Sequence, residues 1–91
     1  MRELDVPDIT LLGGRVDYVQ GRRVAVLVYG YRKHIVDHYM WPAEGRDTGV
    51  DVQEVRGFKM AQWRQGGLAH RVVSDMNGQE LDAVVKACRA G

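Results

Sequence analysis

The sequence has few of the residues that staple or interrupt a small fold: one cysteine, two prolines and one phenylalanine among 91 residues. A lone thiol, Cys88, excludes an internal disulfide and any CxxC redox or zinc pattern, so cysteine usage identifies no compartment. An excess of charge of one sign is also missing. Thirteen basic residues against twelve acidic ones leave a formal net charge of +1, which provides no global field to hold a nucleic-acid backbone or an anionic membrane. Nucleic acid is therefore not an expected partner. No apolar run approaches the roughly 20 residues that a bilayer span needs. The opening stretch "MRELDVPDITLLGG" has no continuous apolar region of the kind a signal peptide carries. Internal repeats and low-complexity segments are absent too.

What is present belongs to a folded domain. Hydrophobic residues make up 45% and charged residues 27% of the chain, arranged in apolar runs with regular punctuation. The length allows one domain with one core. Gln20-Gly21 stands between two apolar runs and supplies the backbone freedom of a two-residue hairpin turn, predicting strands near Arg15–Val19 and Arg23–Tyr31. The second run is apolar on both alternating sets, Val24, Val26 and Val28 against Ala25, Leu27 and Tyr29, as expected of a central strand covered on both faces. "HIVDHYMW" reads as a third strand, His34–Trp41, ended by Pro42. "GFKMAQWR" and "LAHRVVS" flank Gln65-Gly66-Gly67 as a second hairpin. Between these, residues 42–56 show little periodicity and read as a long loop, the place where recognition residues or mobility concentrate.

The last segment carries the clearest local signal. Asn77 can cap a helix through its side-chain oxygen, Glu80 can reach back in a capping box, and Met76 can pack on Leu81 as a hydrophobic staple. Leu81, Val84, Val85 and Cys88 then recur at i, i+3, i+4 and i+7 as one apolar stripe. The expected architecture is a single α+β domain over residues 1–91. It has an antiparallel sheet of about five strands in hairpins, covered by a C-terminal amphipathic helix, with residues 1–6 flexible.

Candidate chemistry is sparse. His34, Asp37 and His38 would share a metal-ligating face only on a helix; on a strand, His34 and His38 stand roughly 13 Å apart and Asp37 points the other way. In a simple meander the Gly57–Arg64 strand separates His70 from His38, leaving His70 a half-exposed sheet residue. Ser74 beside a helix start reads as a backbone-satisfying hydroxyl and Cys88 as a small buried hydrophobe. The glycines follow no phosphate-loop spacing. Arg22, Arg23, Arg32 and Lys33 near Tyr29, Tyr31 and Tyr39 have the composition of a single-strand-binding face, but near-zero net charge favours a solvated rim. No catalytic, cofactor-binding or metal site is expected. Trp41 and Trp63, placed at neighbouring strand ends, read as core aromatics that can also border a groove.

Three segments, "PDITLLGGRVDYVQGRRVAVLVY", "HIVDHYMWP" and "GFKMAQWRQGGLAHRVVSDMNGQEL", in that order and over most of the chain, resemble the extracytoplasmic C-terminal domain of proteobacterial transmembrane anti-sigma factors. The chain departs from that pattern at His70-Arg71, where an aromatic pair is usual, and at Asp37-His38-Tyr39, where an Asn-Leu-Phe-like run is usual. The resemblance implies a larger polypeptide: a cytoplasmic segment that sequesters an extracytoplasmic-function sigma factor, one membrane-spanning helix, and this domain in the periplasm of an inner membrane protein. Met1 would then be an expression start. This domain would be the non-enzymatic sensory half, receiving an envelope protein or signal molecule, with regulated proteolysis and homodimerisation left open. The expected contact surface is the 42–56 loop, including Arg46 and Asp47, with His38, Trp41 and Trp63. The competing expectation is a free-standing small-ligand or metal-binding protein in which His34, His38 and His70 converge.

Overall fold

Pairs of left-handed residues close three of the hairpins. Gln20 and Gly21, at φ 53° and 76°, join β1 (Ile9–Val19) to β2 (Arg22–Tyr31), the positive-φ pair of a tight hairpin turn. β2 turns into β3 (His34–Pro42) through Arg32 and Lys33. Arg56 and Gly57, at 52° and 84°, join β4 (Asp51–Val55) to β5 (Phe58–Gln65). Gly66 and Gly67, at 61° and 81°, join β5 to β6 (Leu68–Ser74). These elements belong to a computed structural model that describes residues 8–90; the expectation of a flexible 1–6 segment lies outside the described residues.

The strands form one antiparallel sheet of six, in the order β1-β2-β3-β6-β5-β4. Several expectations are corrected here. The sheet has six strands rather than about five, because Asp51–Val55 pairs with Phe58–Gln62, and the long connection therefore shrinks from 42–56 to 43–50. All five β4 residues are exposed, so no buried face imposes an alternating pattern on them. The order also differs from a simple meander: β6 lies directly against β3, with Asp37 opposite Val73 and Met40 opposite His70. β1 begins at Ile9, ahead of the predicted Arg15, and a register shift between Leu11 and Gly13 marks a bulge.

The helix α1 (Gly78–Ala90) starts where the capping residues place it. Asn77 Oδ1 accepts the Glu80 amide at 2.8 Å, and the Asn77 carbonyl accepts from the Leu81 amide at 3.0 Å. The Glu80 carboxylate meets Arg32 at 3.5 Å rather than closing the capping box. The predicted stripe Leu81, Val84, Val85 and Cys88 is buried against Tyr29, Val36, Ala61, Trp63 and Val72. Met76, fully buried in the same cluster, completes the staple. Each aliphatic side chain buried this way contributes roughly 1.5–3 kcal/mol. At the other end Gln65 Nε2 donates to the Arg89 carbonyl at 2.9 Å, satisfying one of the acceptors a helix leaves open. With 13 residues, α1 falls short of a bilayer span, and among the described residues no helix is long and apolar enough to cross a membrane.

Strand alternation gives the sheet two unlike faces. Val36, His38, Ala61, Trp63, His70 and Val72 point to the side covered by α1. Tyr39, Trp41, Met60, Arg71 and Val73 point to the other side, which carries no helix among the described residues.

Candidate functional site

Under α1, four polar or aromatic side chains from four elements form a chain. The Trp63 indole of β5 stacks on the His70 ring of β6, centroids 5.0 Å apart and planes 3° from parallel. His70 Nδ1 lies 3.0 Å from Nε2 of His38 on β3, and His38 Nδ1 lies 3.7 Å from the Cys88 sulfur of α1. All four are buried. One tautomer set serves both contacts: the thiol donates to His38 Nδ1, and His38 donates from Nε2 to His70 Nδ1. Trp63 Nε1 donates to Gln65 Oε1 at 3.2 Å, and that amide also holds the end of α1. The polar groups of the covered face are thus tied to one another and to the helix, which is what a low-dielectric interior requires.

Chemically, Cys88, His38 and His70 stand in the order of nucleophile, base and orienting group. The arrangement differs from a working triad in access, because Cys88 is 5% exposed and its sulfur faces the sheet. With α1 in place the Cys88 side chain lies within the buried cluster beneath the helix rather than at the surface. Nor do the three groups converge on a cation, since the sulfur and His70 address opposite nitrogens of the His38 ring. Among the described residues no group of three His, Cys, Asp or Glu side chains is placed to hold a metal ion.

The open face carries a pocket of about 380 Å³. Val24, Tyr39, Trp41, Met60, Arg71 and Val73 line it from β2, β3, β5 and β6, and the end of the β1–β2 hairpin supplies Val19, Gln20 and Arg22. Val24 is buried, whereas Tyr39, Trp41, Met60, Arg71 and Val73 are half-buried. The Arg71 guanidinium lies over the Trp41 ring, 5.4 Å from its centroid, and Nη2 donates to Gln62 Oε1 at 3.1 Å. Arg71 Nε is buried without a hydrogen-bond partner among the described residues.

The residues expected to make one contact surface occupy three places. His38 and Trp63 lie beneath α1, Trp41 lies on the open face, and Arg46 and Asp47 lie exposed in the 43–50 connection. Trp41 and Trp63 are separated by β6 and point to opposite faces, because their partners Ala69 and His70 are consecutive. The connection is fastened along β5 and its turn: Asp47 Oδ1 accepts the Gly66 amide at 3.1 Å, and Thr48 exchanges bonds with the Arg64 backbone through its amide and its hydroxyl, each at 2.9 Å. Of the three histidines expected to converge in the competing reading, His38 and His70 do so, while His34 pairs with Asp75 at 2.7 Å. His70 is 9% exposed rather than half-exposed, because β6 borders β3 and turns the ring beneath α1. Ser74 donates to the Ile35 carbonyl at 2.9 Å and accepts from the Met76 amide at 3.4 Å, a structural role.

Sequence reasoning missed Arg71 as a site residue. A signal for it was present: an arginine one position from a buried strand residue, in a sheet whose other strands place Tyr39 and Trp41 on the same alternation. The basic-aromatic group divides as well, since Tyr29 and Tyr31 enter the core while Arg22 and Tyr39 meet at the pocket. Comparison with protein-family models, curated proteins and solved structures gives no match for this chain.

Proposed function

We propose that the chain is a non-enzymatic sensory or interaction domain of a membrane-bound anti-sigma factor, located in the periplasm, and that it governs how long an extracytoplasmic-function sigma factor stays sequestered. The observation that carries the interaction part is the division of the sheet: one face is sealed by α1, and the other presents a concave aromatic and cationic surface of the kind that receives a ligand or a partner group. The anti-sigma part rests on the sequence resemblance. The burial of Cys88, His38 and His70 supports a non-enzymatic reading, because the groups best suited to nucleophilic chemistry serve the core. In this reading the sigma factor is held by a cytoplasmic segment beyond this sequence. A change of contacts on the open face is passed through a membrane helix or exposes the region near it to a protease.

A second reading, a free-standing small-ligand protein, is favoured by the same pocket. One experiment separates the two: detection of the native gene product in its source cells with an antibody against this domain, followed by membrane fractionation. A membrane-bound species substantially heavier than 10.3 kDa, from which a sigma factor co-purifies, is the expected result. A freely soluble species of about 10.3 kDa overturns the anti-sigma reading and leaves the ligand-binding one.

A further inference from the structure

Arg71 is held in the middle of a sheet in a way that leaves its chemistry incomplete. The aliphatic stem runs through a half-buried position, the guanidinium covers Trp41, and Gln62 takes one Nη2 proton. Among the described residues no carboxylate lines the pocket, and a second guanidinium, Arg22, does. Asp37, an acid on the same face of β3, sits opposite Val73 and outside the lining. The buried Nε–H has no acceptor among the described residues, and burying such a donor unpaired is unfavourable. Cationic character and an apolar floor therefore meet in one cavity, and an orphaned donor is buried on the same Arg71 side chain.

We propose that this pocket is a binding site for a small amphipathic carboxylate, with its oxyanion head on the Nε and Nη2 edge of Arg71, turned toward the cavity from its buried position beside Gln62, and its apolar body against Val24, Met60 and Val73. The proposal names the class of signal received at the open face; its biological role rests on the reading above, while the binding itself does not. The Nε–Nη2 edge of a guanidinium presents two parallel N–H groups whose spacing matches a carboxylate, and such bidentate pairing gains most where water is excluded. The volume of about 380 Å³ lies at the scale of small-molecule sites. A peptide entering as an added strand does not fit this place. The strands that line the pocket from below, β2, β3, β6 and β5, are already paired on both sides, and strand addition needs a free edge. Recognition here has to come from side chains.

The test is a titration of the isotope-labelled 91-residue protein with octanoate, following the Arg71 Nε–H and Trp41 indole resonances, with acetate and octanamide as comparisons. Octanoate is expected to shift both resonances and to bind at least about tenfold more tightly than acetate, which lacks the body, or octanamide, which lacks the charge. Arg71→Lys keeps the charge but loses the fork, and is expected to weaken octanoate by about tenfold or more. Arg22→Gln, at the exposed rim, keeps the test valid should the Arg71 variant fold poorly, and is expected to weaken octanoate several-fold. Equal affinity for octanamide or for acetate overturns the proposal, as does octanoate that leaves the Arg71 Nε–H resonance unmoved. Undiminished binding by both variants overturns it as well. Octanoate binding by a protein found soluble and unanchored in its cells would sink the anti-sigma reading and leave this site standing.

Discussion

His38 and His70 show how a contact between residues distant in sequence sets the character of a core. Their ring nitrogens meet at 3.0 Å across the β3–β6 pairing, with Trp63 stacked on one ring and the Cys88 thiol beside the other. Truncating one member removes the partner but leaves the other ring in the interior, an asymmetry that makes a half-pair worse than none. His38→Leu and His70→Phe are each expected to lower unfolding free energy by about 1–3 kcal/mol. The phenyl ring retains the stacking surface for Trp63. The double variant is expected to recover most of that loss, because two apolar side chains of similar volume leave neither nitrogen stranded. Urea unfolding of the four proteins measures this, and losses that simply add would show that the two rings do not act as a pair. In the sequence this pair was legible only as the competing expectation that the histidines converge, and a simple meander, with the Gly57–Arg64 strand between them, pointed away from it. Each histidine by itself reads as an ordinary strand residue, and only the placement of β6 beside β3 joins them.

Elements set by local chemistry were legible; those set by remote pairing were not. The cap at Asn77, the staple at Met76 and the stripe through Cys88 all lie within one turn or one helix, and α1 forms as that pattern directs. The Gln20-Gly21 and Gly66-Gly67 turns were legible for the same reason, since positive φ is a demand that a few residues satisfy. β4 escaped because a strand exposed on both faces carries no burial pattern, and the Arg56-Gly57 turn that produces it sits in a polar stretch. The covering role of α1 predicts the reactivity of its thiol. Cys88, 5% exposed, is expected to react with a thiol reagent only through opening events, orders of magnitude more slowly than in unfolded chain. Val84→Asp places a charge at a position with 0% exposure and is expected to cost several kcal/mol and to unmask Cys88. Lys86→Ala, which removes an exposed ion pair with Asp82, is expected to leave the labelling rate near that of the parent. Labelling of the parent protein at the unfolded rate would mean that α1 does not seal the sheet.

At the scale of the molecule, the sheet is two three-stranded meanders, β1-β2-β3 and β6-β5-β4, joined at a single seam between β3 and β6. Every other neighbour pair is a hairpin closed by its own turn, whereas the seam brings together strands separated by the whole β4–β5 excursion. Val36, Ala61, Val72 and Val84, all at 0% exposure, show that the core lies beneath α1 across β3, β6 and β5. Stability should therefore fall with distance from it. Native-state hydrogen exchange is expected to give the slowest amides in β3 and β6, and opening free energies in β4 lower by roughly 2 kcal/mol or more, because β4 is a free edge with every residue exposed. That edge, with Val52 and Val55 outward, is also where a second chain would add a strand. Concentration distinguishes the two ways the expectation can fail. Protection of β4 that matches β6 at every concentration would mean that the two meanders open as one unit. Protection that appears only as the protein is concentrated would mean that the edge is covered by another copy, and would make self-association through β4 a property of the domain.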